Sequence, residues 1–186
     1  MKFIKEFIKH PIIVGAIAPS SQLSEIISDT ANLKNKKCVV ELGPNGVFTE
    51  KILQKINPYC VFFSIEINYK FVKETKNRCS NAIVYNDSAE NIKKYLIKHN
   101  KNNCDCIISG LPWAVFDSDL QIKLLNSIYD SLESEGIFLT FTYIHGLLLP
   151  QGKKFKALLQ KKFRIVKRTK IIWWNLPPAF VYFCQK

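Results

Sequence analysis

A chain of 186 residues, 47% hydrophobic and 23% charged with seven Gly and eight Pro, has the length of one globular domain and the composition of a packed fold. This excludes a disordered, collagenous or low-complexity protein. Its formal charge of +12 points to a surface that meets polyanions, either nucleic-acid phosphates or anionic lipid headgroups. No apolar run approaches the roughly 18–20 residues that a bilayer span needs, so no membrane crossing is predicted.

The opening segment MKFIKEFIKHP mixes Lys and Glu with Phe3, Ile4, Phe7 and Ile8. It lacks the continuous apolar stretch and small-residue cleavage site of a signal peptide, so a cytoplasmic protein is expected. The piece is amphipathic and basic but too short to be a stable helix alone, and it has to dock on its own domain or on a lipid surface. His10-Pro11 ends it. The turn-rich GAIAPSS then leads into a predicted helix at about 22–31. Residues 1–35 are read as an N-terminal helical cap on a core at 36–186, the whole forming one domain.

Five short apolar blocks follow: CVVEL at 38–42, CVFFSIE at 60–66, NAIVYN at 81–86, CDCIIS at 104–109 and GIFLTFTY at 136–143. Their length and β-branched content predict buried strands. Between them EKILQKI, YKFVKETKNR, ENIKKYLIKH and DLQIKLLNSIYDSL carry apolar residues at i, i+3 or i+4, which predicts amphipathic crossover helices and a largely parallel sheet. After a last helix near 153–161, FRIVKRTKIIWW and AFVYFC are separated only by NLPP. That connection is too short for a crossover, so the final pair should be an antiparallel hairpin. Five βα units closed by such a hairpin is an α/β layout, that of the Rossmann-like class I methyltransferases.

The six cysteines are scattered without a CxxC pair, and free thiols are expected. Cys104 and Cys106 are read as pointing to one face of a strand, but no His cluster completes a site and no metal is predicted. The basicity is terminal: residues 151–186 hold eight Lys, two Arg and no acid. With only three Arg in the chain, base-specific readout is disfavoured, and no specific nucleic-acid partner is expected. His10 and His99 read as surface or cap residues.

The run Val39-Val40-Glu41-Leu42-Gly43-Pro44-Asn45-Gly46-Val47-Phe48-Thr49 is a buried strand turning through small residues into a helix, where glycine lets backbone approach a ligand. Glu66 ends the second strand, where an acid can hold both hydroxyls of a ribose, and Asp87 ends the third, where a carboxylate can accept from an adenine amine. Glu41 can order the loop and offset positive charge. No Lys lines these turns as a phosphate would require, so a cationic adenosyl group such as S-adenosylmethionine fits better than a dinucleotide.

The chain resembles the bacterial phospholipid N-methyltransferases of the class I, S-adenosylmethionine-dependent fold. The likeness rests on Phe7-Ile8-Lys9-His10-Pro11, Val14-Gly15-Ala16-Ile17-Ala18-Pro19-Ser20-Ser21, Glu41-Leu42-Gly43-Pro44, Ser109-Gly110-Leu111-Pro112, Phe141-Thr142-Tyr143 and Asn175-Leu176-Pro177-Pro178-Ala179. It implies that GAIAPSS folds over the cofactor and that SGLP lies beside the transferred methyl. The cofactor set it implies is Pro19, Ser20, Ser21, Glu41, Gly43, Asn45, Gly46, Thr49, Glu66, Ile67, Asp87, Ser88 and Ser109. The loop ELGPNG is one residue shorter than the family's ELGPGTG, so Asn45 is expected in a glycine-like conformation. Ser109, Tyr143 and His145 are the candidates to orient the acceptor amine and take its proton. Trp113 and Asn175 are candidate substrate contacts, and the faces of Trp113, Tyr143, Trp173 and Trp174 are available to a quaternary ammonium.

The expected activity is methylation of the ethanolamine amine of phosphatidylethanolamine at the membrane surface, the enzyme sitting peripherally on the inner face through its basic ends. Three alternatives stand beside it: an rRNA adenine N-methyltransferase, a methyltransferase of a soluble amine, and a non-catalytic cofactor- or membrane-binding module. The adenine enzymes carry Asn where this chain has Ser109, and they add a helical C-terminal domain. The sequence leaves oligomeric state and the number of methyl groups open.

Overall fold

The computed structural model describes residues 20–186, so the expectations for the amphipathic segment and for Pro19 lie outside the described residues. Helix α1 (Ser21–Ala31) starts where the Ser20 hydroxyl accepts from Leu23 N and stops at Asn32, whose φ of +50° ends the helical path. The elements that follow are β1 (Cys38–Leu42), α2 (Val47–Lys55), β2 (Val61–Glu66), α3 (Tyr69–Arg78), β3 (Val84–Asn86), α4 (Ile92–Lys98), β4 (Cys104–Ser109), α5 (Ser118–Ser131), β5 (Leu132–Tyr143), α6 (Pro150–Lys162), β6 (Ile165–Arg168) and β7 (Ala179–Gln185). The predicted alternation is present in full. The fifth strand begins four residues earlier than expected, and the sixth is confined to its first few residues.

The strands form one sheet in the order β3-β2-β1-β4-β5-β7-β6. The first five run parallel, and β7 lies antiparallel between β5 and β6, as the short connection required. Both faces are covered, which is why the strands read as continuous apolar runs. On one face Leu23, Ile27, Phe48 and Ile52 from α1 and α2 pack on Val39, Cys106, Ile108 and Val181. On the other Ile92, Leu96, Leu124 and Phe155 from α4, α5 and α6 pack on Val40, Leu42, Phe63 and Ile107.

All six cysteines are free. Cys104 and Cys106 do not share a face: the register between β4 and β5 shifts between them, and they fall into opposite cores. The strict two-residue alternation assumed from sequence fails at such an irregularity. His99 caps α4 as expected, and it also has partners the sequence did not reveal: its ring stacks on Phe63 at 5.0 Å and its Nε2 lies 3.0 Å from the Tyr85 hydroxyl.

Candidate active site

The parallel strands end on one edge of the sheet, and the turns leaving β1, β2, β3 and β4 meet there. After β1 the chain turns through Gly43 at φ +68° and Gly46 at φ +79°. Both are values that a side chain opposes, so glycine is required at these two positions. Asn45 is not in the left-handed region, contrary to the sequence expectation. The shortened loop keeps its two glycines for the tight bends and uses the Asn45 side chain differently: Oδ1 accepts from Val47 N at 3.0 Å and Phe48 N at 3.1 Å, capping α2.

Beneath this loop Glu41 is fully buried. One of its oxygens accepts from Thr49 Oγ1 at 2.8 Å and Ser64 Oγ at 2.7 Å, while Oε1 has no donor among the described residues. Burial pushes its carboxyl up to about 7, against the pull of those two hydroxyls. Thr49, a candidate cofactor contact, is therefore turned inward to position Glu41. The folded chain holds a proton on Glu41 that the unfolded chain releases near 4.5, so stability falls as pH rises from about 4.5 to about 7. Glu41→Gln should raise stability at pH 8 by about 1–2 kcal/mol and bring little gain at pH 4.5, read from urea denaturation at both values.

Glu66, 7% exposed, stands at the end of β2 and lines a mostly apolar slot. The slot contains about 540 Å³ of space, part of it open to solvent. Its walls include Ile67 and Ser88, both expected, and Leu111 and Pro112 of the SGLP turn. Phe116, just before α5, and Leu120 and Leu124 on α5 also line it; the sequence does not single these out, because apolar residues at helical spacing on α5 and an aromatic beside them read as core. Glu66 Oε1 accepts from Asn68 N at 2.5 Å, fixing the carboxylate. Burial pushes its carboxyl up to about 7, with backbone amides opposing and the Glu41 charge adding to the rise.

Asp87 is occupied by protein donors: Ser88 N at 2.7 Å, Asn91 Nδ2 at 2.8 Å, Tyr95 hydroxyl at 2.7 Å and Lys94 Nζ at 2.9 Å. The Lys94 and Tyr95 bonds hold its carboxyl far below the usual range. It fixes the start of the turn that carries Ser88 into the slot. The β1 and β4 turns touch backbone to backbone. Gly110 N donates to Leu42 O at 2.8 Å, and a Cβ on Gly110 would lie 2.7 Å from Gly43 O.

Ser109 is fully buried, and its Oγ accepts from Leu111 N and from Trp113 Nε1, both at 3.2 Å. It shapes the SGLP turn from behind. Trp113, expected at the substrate, is a core residue: it is 1% exposed and stacks on Phe155 at 4.5 Å. A run of sequence does not distinguish an indole facing a ligand from one filling a core.

At the end of β5, Tyr143 stacks on the exposed His145 at 5.6 Å, and burial pushes the Tyr143 phenol up, so it keeps its proton at neutral pH. Asn175, also expected at the substrate, is 1% exposed. Its Oδ1 accepts from Ser20 N at 3.0 Å and its Nδ2 donates to Pro177 O at 2.6 Å. The two most distinctive motifs, PSS and NLPPA, thus meet across 155 positions, and Asn175 joins the loop before β7 to the start of α1. Ser20 caps that helix, while Ser21 is exposed. Trp173 and Trp174 stand in the same loop, apart from the Glu66 slot.

This sheet order, with its antiparallel β7 and its glycine turn after β1, is the fold of the class I S-adenosylmethionine-dependent methyltransferases. It superposes on an O-methyltransferase from Bacillus cereus in complex with SAH with a TM-score of 0.71 at 11% identity, covering 100% of this chain and 91% of that one. It also superposes on the N-methyltransferase NodS from Bradyrhizobium japonicum WM9 at 0.68 and 11% identity, covering 89% and 93%. In sequence the chain is similar to the ornithine lipid N-methyltransferase of Singulisphaera acidiphila, 27% identical over 188 aligned positions that cover 98% of this chain and 94% of that protein. No protein-family model matches the sequence.

The residues present fit the cofactor of that fold. The slot is apolar enough for a flat heterocycle and has one acid in its lining for hydroxyls. The backbone approach at Gly43 and Gly110 leaves no room for a side chain.

Proposed function

We propose that the protein is an S-adenosylmethionine-dependent N-methyltransferase acting on the headgroup amine of a membrane lipid, phosphatidylethanolamine first among them. The observation that carries this reading is Glu66, an acid held by backbone in the lining of an apolar slot on the strand-end edge. The bound cofactor supplies an electrophilic methyl group; the chain's own residues position the acceptor and handle its proton. Gly43, Gly46, Glu66 and Ser88 hold the cofactor, with Glu41 and Asp87 shaping their turns. The SGLP turn, held by Ser109, forms one wall of the acceptor site. An alkylammonium has to lose a proton before its nitrogen lone pair can attack, and His145, exposed at the end of β5, accepts it. Tyr143 orients the amine as a hydrogen-bond partner that stays protonated.

The full-length similarity to a lipid N-methyltransferase supports a lipid acceptor over RNA or a soluble amine. That relative's name also favours a second reading within the same chemistry, with the amine of an ornithine lipid as acceptor. The protein then works peripherally on an anionic membrane, on the inner face where the cofactor is made available. Methyl transfer from labelled S-adenosylmethionine should mark phosphatidylethanolamine vesicles. Ornithine-lipid vesicles and ribosomal RNA are the competing acceptors; label confined to ornithine lipid selects the second reading, and label in RNA alone overturns both.

A further inference from the structure

The β6–β7 connection carries three large apolar side chains into solvent: Trp173 is 64% exposed, Trp174 85% and Leu176 77%. Their neighbours in sequence do the opposite. Ile172 and Asn175 are buried, and both are tied down. Ile172 N donates to Ala179 O at 2.7 Å, and Asn175 bonds Ser20 N and Pro177 O. The loop is therefore held in one shape whose outward face is apolar, and its ordering cost is met within the protein itself. A second apolar shoulder, Leu148 at 75% and Leu149 at 40% exposure, lies in the turn after β5. The two turns leave adjacent strands at the same sheet edge, and Ile144 N donates to Pro178 O between them at 2.9 Å.

We propose that this double turn inserts into an anionic lipid bilayer and sets the strand-end crevice against the headgroups. The inference rests on the lipid-amine reading and names the surface that serves it. Three features select a bilayer as the occupant. Tandem Trp with Leu suits the boundary between headgroups and acyl chains, where an indole keeps its ring in the apolar layer and its N–H at the wet side. The charge that flanks these turns in sequence from 151 onward is all of one sign. Lys153, Lys156, Lys167 and Lys170 are exposed, none of them is in an ion pair among the described residues, and the chain has no acid from 151 onward. The surface is also held to the body of the fold, because Asn175 of the inserting loop bonds Ser20 N at the start of α1. Trp113 shows what this protein does with a Trp that serves packing: it buries it completely and stacks it.

The test uses the full chain with vesicles of phosphatidylethanolamine and phosphatidylglycerol whose acyl chains are brominated. Bromine should quench the emission of Trp173 and Trp174, and in W173F/W174F, where only the core Trp113 still emits, quenching should vanish. W173A/W174A should bind the vesicles about thirty-fold more weakly, as expected from two partly inserted indoles. Its melting midpoint should not change, nor should its transfer to a short-chain amino lipid present as monomer. Absence of quenching in the wild type, or equal vesicle binding by W173A/W174A, overturns the proposal. So does self-association that hides both Trp residues and does not yield to lipid. If no form of the protein methylates the monomeric lipid, the lipid-amine reading has failed, separately from the docking result.

Discussion

Glu66→Ala should weaken S-adenosylmethionine binding by at least about 100-fold, the size expected when two hydroxyls lose charge-assisted hydrogen bonds to one carboxylate. The rest of the slot is apolar wall, which supplies affinity for a heterocycle but does not replace an acceptor for hydroxyls. Glu66→Gln keeps the shape and one acceptor oxygen, so its loss should be intermediate. The wild-type affinity should also depend on pH. Burial holds the Glu66 carboxyl at about 7, and only the ionised form accepts from two hydroxyls. Binding should therefore weaken as pH falls below about 7, by up to about ten-fold per unit, and should release a proton near neutrality. Calorimetry in two buffers of different ionisation enthalpy measures that proton. In Glu66→Gln the part of the release that belongs to Glu66 should disappear; any release and pH dependence that survive together belong to Glu41, whose carboxyl also lies at about 7. Unchanged binding by Glu66→Ala would remove the basis for placing a nucleoside in this slot.

How much of this was legible from the residues depends on what kind of signal each feature leaves. A strand buried on both faces leaves a continuous apolar run, so β1, β2 and β4 could be placed almost to the residue. An acid closing such a run stands out for the same reason, which made Glu66 and Asp87 visible. The antiparallel β7 was legible because NLPP alone separates the two apolar runs, and even the ten residues that connect β6 to β7 in the structure are too few for a crossover helix. Features set by the third dimension left no such trace. The irregularity that parts Cys104 from Cys106 depends on how β4 meets β5. Leu120 and Leu124 have the i, i+4 spacing of any core-facing pair, and only the position of α5 over the β2–β4 edge turns them into a ligand wall. Asn175 looked like a polar group for a substrate, yet its partner is a backbone amide 155 positions away. Asn45 is ambiguous in sequence for a local reason: asparagine both tolerates glycine-like dihedrals and accepts from the first amides of a helix, and here it does the second.

Gly110→Ala should be the most damaging single methyl group that can be added near the crevice. The added carbon would sit 2.7 Å from Gly43 O and 3.7 Å from Leu42 O, and both obstacles are backbone held by strand pairing between β1 and β4. No rotamer change relieves that overlap, so the two turns have to separate, straining the bond from Gly110 N to Leu42 O. A loss of about 2–4 kcal/mol in urea denaturation is expected, the range for overpacking against a rigid neighbour. Separation of the turns also disturbs the wall formed by Leu111 and Pro112, so cofactor affinity should fall even at temperatures where the variant stays folded. Gly146→Ala is the appropriate control. There a Cβ would meet the side-chain carbons of Ala114 at 3.3 Å and Thr142 at 3.5 Å, a tight contact that small shifts absorb, at a cost under about 1 kcal/mol and with cofactor affinity retained. If Gly110→Ala instead matched Gly146→Ala in both stability and affinity, the close backbone approach would be incidental, and glycine at the β4 turn would need another explanation.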